Sequence, residues 1–91
     1  MRVLCLGQQR AAMRQMTYYL LAEENLEGAE QYGVRVESET GDRAEVRKVT
    51  ISSRSILELL GLLMRNTVTP VSLRDVIEDG WPGKMALVGE K

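Results

Sequence analysis

The chain has 91 residues, 12 basic and 13 acidic side chains for a formal net charge of -1, and 44% hydrophobic residues. That size and balance describe one globular domain with a single core, a stability of about 5–14 kcal/mol, and no basic excess of the kind a duplex-binding protein carries. The absence of histidine and the single cysteine, Cys5, exclude a Ser-His-Asp or Cys-His arrangement, a structural zinc site and an intrachain disulfide.

Residues 1–16 carry Arg2, Arg10 and Arg14 and no acid. They read as a basic N-terminal segment, loose and outside the fold, with Cys5 a free thiol. The apolar stretch Val3-Leu4-Cys5-Leu6 is far shorter than a signal h-region. No apolar run approaches the ~18 residues of a membrane span. A cytoplasmic protein with no membrane contact is the expectation, in keeping with a reducing compartment.

Residues 17–83 read as a single α+β domain. Thr17-Tyr18-Tyr19-Leu20-Leu21-Ala22 is a strand, or the end of a helix begun near Gln8, since Ala12, Met13, Met16 and Leu20 recur at helical spacing. Paired tyrosines favour the strand. A loop around Gly28 follows. Tyr32-Gly33-Val34-Arg35-Val36-Glu37-Ser38 alternates cleanly, with Tyr32, Val34 and Val36 on one face and Arg35 and Glu37 on the other. Thr40-Gly41-Asp42 is a turn that suits a positive φ at Gly41.

In the next strand candidate, Arg43 to Ser52, Ala44 and Val46 alternate with Glu45 and Arg47. Val49 and Ile51 then fall on the opposite parity. A β-bulge near Arg47-Lys48 would return both pairs to the core face. The whole is an antiparallel meander of about three strands followed by two helices packed on one face.

The first helix begins at a serine cap, Ser52 or Ser53. Ile56, Leu59, Leu60 and Leu63 mark its inner stripe, and Leu57, Leu62 and Met64 widen that stripe beyond one face. Gly61 costs about 1 kcal/mol in a helix interior, which a close approach to the sheet would explain. Asn66 is a stop and Pro70 a break. Ser72-Leu73-Arg74-Asp75 opens a second, short helix with Leu73, Val76 and Ile77 on its apolar side. Gly80 and Pro82 end it, Trp81 folds back, and residues 84–91 form a tail in which Met85-Ala86-Leu87-Val88 is a strand option.

Candidate chemistry is sparse. Glu37, Glu39, Asp42 and Glu45 cluster at the hairpin turn, where a divalent ion is conceivable but a solvated turn is the ordinary outcome. No cofactor is implied and no enzyme is expected. Arg43, Arg47, Lys48 and Arg54 form the one basic stripe that nucleic acid would use, with the tyrosines as stacking faces, although neighbouring acids oppose it. A second surface is apolar: Ile56, Leu57, Leu62, Met64 and Trp81 exceed what one thin sheet readily covers. A small open sheet also has two edges that invite pairing. A non-enzymatic interaction or regulatory module, bound to another protein or to itself, is the leading expectation. Weak nucleic-acid binding is the alternative.

The segments Tyr18-Tyr19-Leu20-Leu21, Tyr32 to Glu37, Val49-Thr50-Ile51-Ser52 and Thr69 to Asp79 together resemble a family of short, uncharacterised bacterial proteins of unknown function. The most specific part is Pro-x-x-Leu-x-Asp-Val-x-x-Asp, carried by Pro70, Leu73, Asp75, Val76 and Asp79. The resemblance spans about residues 17–81. It implies a bacterial cytoplasmic protein built of strands followed by helices, and it supplies no activity and no site residue.

Overall fold

The computed structural model describes residues 1–11 and 14–80. Four strands precede two helices: β1 (Arg2–Ala11), β2 (Arg14–Glu24), β3 (Glu30–Ser38), β4 (Arg43–Thr50), α1 (Ser53–Arg65) and α2 (Leu73–Gly80). The strands make one antiparallel sheet in the order β1-β2-β3-β4, the meander that short connections dictate. Trp81 and the tail and strand option at 84–91 lie outside the described residues.

The sheet is one strand wider than expected. The added strand is β1, built from the segment read as a loose tail. Its sequence hid it because the alternation breaks inside it. Cys5 stands opposite Tyr19 and Gly7 opposite Tyr18, so Leu6 is an extra residue that shifts the pairing by one. Across such a bulge the side chains change parity and the period of two disappears. The segment around Tyr18 is strand throughout and not the end of a helix.

The expected bulge in the strand from Arg43 is present, with a different consequence. Val34 pairs with Val46 and Tyr32 with Thr50, so β4 has two residues more than β3 across this stretch. An insertion of two keeps the parity of the strand. Thr50 therefore resumes the core face, Val49 reaches the core from within the bulge, and Ile51 is 66% exposed, not inward. Lys48 sits in the bulge at a φ of 58°. The bulge presses β4 onto Gly33, where a Cβ atom would stand 2.3 Å from the Val46 carbonyl oxygen and 2.8 Å from Arg47 Cα. Only glycine fits there.

Both helices cover one face of the sheet. Met16 and Tyr18 of β2 and Val34 and Val36 of β3 meet Ile56, Leu59, Leu60 and Leu63 of α1 in one buried cluster, which Leu73 and Ile77 of α2 complete. Full burial of each large apolar side chain contributes about 1.5–3 kcal/mol. The Tyr18 hydroxyl donates to the Val68 carbonyl at 2.9 Å, which satisfies a polar atom at the centre of this core.

Ser52 caps α1: its Oγ accepts from the Ser55 amide at 3.1 Å. At the other end Asn66 is the C-cap, Thr67 takes a φ of 44°, and the Thr67 and Val68 amides donate to the Met64 and Leu63 carbonyls. This is a Schellman closure with threonine where glycine is favoured.

Candidate functional site

The two edges of the sheet differ in chemistry. β4 is short, bulged and charged, with Arg43, Glu45, Arg47 and Lys48 along it. Those are the devices that keep an edge from pairing with a stranger. β1 is ten residues long and its only charges are Arg2 and Arg10 near its two ends. Val3, Leu4 and Leu6 are all exposed, Leu4 by 47%, and the Cys5 thiol is exposed beside them.

Position in the sheet decides where these side chains go, because residues paired directly across strands share a face. Leu4 pairs with Leu20, which packs on the core, and so lies on the helix-bearing face. Val3 pairs with Leu21 and Cys5 with Tyr19, on the opposite, open face. Gly7 lies beneath α1: a Cβ atom there would come within 3.1 Å of Met64 Sδ. The flank of α1 that carries Met64 also carries Gly61 and Leu57, since positions 57, 61 and 64 fall within an arc of about 60° at 3.6 residues per turn. Leu57 is 50% exposed. The edge of β1, unpaired among the described residues, and the Leu57–Met64 flank of α1 therefore meet along one side of the molecule.

The residues expected to form an apolar surface divide accordingly. Ile56 is fully buried and belongs to the core, because it points down the inner stripe while Leu57, one residue on, is turned by about 100°. Leu62 and Met64 are partly buried against the core. Leu57 is the exposed one. Val3, Leu4 and Leu6 were missed, and their signal was the run of four apolar residues without alternation. Gly61 does not touch the sheet. The nearest atom to a Cβ there is the Arg65 Nη1 at 3.4 Å.

The open face of the sheet is a lattice of charge pairs. Arg35 Nε donates to Glu45 at 2.8 Å and its Nη1 lies 3.7 Å from Glu37, while its guanidinium stacks 5.9 Å from the centre of the Tyr19 ring. Partial burial and then the Glu37 carboxylate push the Tyr19 hydroxyl above its usual pKa. Of the basic stripe, Arg43 lies 3.8 Å from Glu37, and Arg47 grips Glu23 through two nitrogens, at 2.6 and 3.1 Å. The hydrogen bond from Arg47 holds the Glu23 carboxyl below the usual range. Lys48 lies at a cleft of about 220 Å³ between the β4 bulge and α2, with Val46, Val49, Arg74, Ile77 and Glu78. Arg54 is exposed in the first turn of α1.

Three of the four turn carboxylates are likewise engaged: Glu45 with Arg35, Glu37 with Arg35 and Arg43, and Asp42 with Arg14 at 3.6 Å, while Glu39 is exposed. Among the described residues no three acidic or sulfur ligands converge as a metal ion requires, and no helix is long and apolar enough to cross a membrane.

This is a two-layer α+β domain, a four-stranded antiparallel meander under two helices, with one guarded edge and one open one. The chain belongs to a family of unknown function (DUF6514), whose match covers residues 3–82 and so takes in both helices and all four strands save Arg2 at the start of β1. No curated protein and no solved structure matches it.

Proposed function

We propose that the protein is a small, non-enzymatic interaction module that takes an extended partner strand along β1, in a reducing, aqueous compartment such as the cytoplasm. The observation that carries this reading is the contrast between the edges. Among the described residues β1 offers a long row of unpaired backbone groups flanked by Val3, Leu4 and Leu6, whereas β4 is bulged and charged. Strand addition at such an edge draws affinity from main-chain hydrogen bonds and selectivity from the side chains on either side. The exposed Leu57 of α1 adds an apolar flank for a partner side chain. The nucleic-acid alternative has less to stand on, because Arg43 and Arg47 are each held by a carboxylate.

The test is affinity capture of the tagged protein beside two variants, read by mass spectrometry. Leu4→Lys places a charge on the edge, and Arg47→Ala opens the basic stripe. The expected result is a set of bound proteins, the same chain included, that is lost with Leu4→Lys and kept with Arg47→Ala and after nuclease treatment. A set unchanged by Leu4→Lys overturns the reading.

A further inference from the structure

Building on the edge-pairing reading, we infer that the strand β1 takes is an acidic one, an extended peptide with an apolar centre and carboxylates on both of its faces. The motivating observation is a one-sided distribution of charge. Residues 1–11 contain no acid, although the chain as a whole carries 13. Arg2 is paired with Glu30 of its own chain. Arg10, near the other end of β1, is exposed and donates to the Gln15 side chain at 3.2 Å. It forms no ion pair with a described residue.

A second cation comes from the helix layer. Arg65 is exposed in the last turn of α1, and its Nη1 lies 3.4 Å from where a Gly61 Cβ atom would stand. The guanidinium is therefore laid over Gly61, on the flank that meets the β1 edge. It too forms no ion pair with a described residue. Glu58, the one acid of α1, is turned by about 100° from Leu57. The two arginines bracket the edge. Arg10 pairs with Gln15, next to the core residue Met16, and so lies on the open face, while Arg65 stands on the helix-bearing side. An extended peptide sends successive side chains to opposite faces, so acids an odd number of positions apart reach both. Its apolar residues then lie along Val3, Leu4, Leu6 and Leu57. A basic strand meets like charge on both sides, which makes the choice of partner electrostatic.

The experiment is titration of the full chain with fluorescent, end-capped peptides, read by anisotropy, with amide hydrogen exchange to locate the contact. The probe is Glu-Asp-Val-Thr-Val-Thr-Val-Glu-Asp. A second peptide has lysine at every acidic position, and a third has proline for the central valine, which removes a main-chain donor. The acidic peptide should bind and slow exchange of the β1 amides, and the proline peptide should bind far more weakly. The lysine peptide should bind at least about tenfold more weakly than the acidic one, a preference that shrinks as salt is raised. Arg10→Glu and Arg65→Gln should each weaken the acidic peptide by about two- to fivefold. The double variant Arg10→Glu, Arg65→Glu should reverse the preference. Both side chains are exposed, so the far-UV spectra of these variants should match the wild type.

Equal affinity for the acidic and lysine peptides overturns the inference and leaves the edge reading standing, and so does a preference that survives the double variant. Binding without slowed exchange in β1 overturns it too, as does a Leu4-dependent dimer that the acidic peptide fails to dissociate. If none of the peptides binds, the acidic partner is excluded. If Leu4-dependent capture is absent as well, the edge reading falls with it.

Discussion

Two residues, Gly33 and Thr67, expose the local costs of this fold most directly. Gly33 has no space for a side chain, since backbone atoms of Val46 and Arg47 occupy it, and a backbone cannot swing aside as a long side chain can. Gly33→Ala should cost about 2 kcal/mol. At 4–8 °C per kcal/mol for a domain of this size, its melting temperature should drop by about 8–16 °C, as a circular dichroism melt would show. Thr67 is the opposite case. A β-branched residue at a φ of 44° costs about 1–2 kcal/mol of strain. Thr67→Gly relieves it, less the entropy glycine adds to the unfolded chain. The net expectation is a gain of about 0.5–1 kcal/mol and a melting point a few degrees higher. A fall on Thr67→Gly would mean that Thr67 has a role its backbone does not reveal.

At the scale of elements, β1 is the one to perturb. If residues 1–11 were a tail, their removal would leave the melting curve alone. Because they form a full strand against β2, and Gly7 supports Met64 of α1, removal should lower stability by more than about 2 kcal/mol and the melting temperature by more than about 10 °C. The same comparison by urea titration should show a smaller m-value, since less surface is hidden in the truncated fold. Elements with a regular period were legible in the sequence. Alternation from Tyr32 to Ser38 and the i, i+3, i+4, i+7 stripe from Ile56 to Leu63 mark β3 and α1 unaided, and the serine pair Ser52-Ser53 and Asn66 mark the ends of α1. β1 was illegible because its bulge at Leu6 breaks the period. Gly33 read as an ordinary strand residue because the β4 backbone that crowds it is 13 residues away in sequence, at Val46.

For the whole molecule the charges set how stability follows pH. Burial raises the Tyr18 pKa above its ordinary value. The folded state therefore keeps this proton at a pH where the unfolded chain has lost it. Stability attached to it is complete below about pH 10 and declines as pH rises further. Tyr19 and Tyr32 are shifted the same way. Glu23 runs in the other direction: Arg47 holds its carboxyl low. Its contribution is present above about pH 4.3 and is lost as pH falls below it. Urea titrations from about pH 3 to pH 11 should trace a plateau with two falling limbs. Tyr18→Phe should flatten the alkaline limb, at a cost near 1 kcal/mol at neutral pH because the Val68 carbonyl loses its donor. Glu23→Gln should flatten the acid limb alone. An alkaline limb unchanged by Tyr18→Phe would contradict this account.

By itself the sequence determined the α+β class, three of the four strands, both helices, the inner stripe of α1 and the presence of a bulge near Lys48. Each of these follows from local periodicity, from capping chemistry, or from neighbours joined by a tight turn. Tertiary structure alone decided which strand is the open edge, that Ile56 is core while Leu57 is surface, and that Gly33 rather than Gly61 is held by close contact. The reason is the same in each case. An edge, a buried face and a close approach are properties of what lies across from a residue, and here that neighbour is distant in the chain or, for the edge of β1, absent among the described residues.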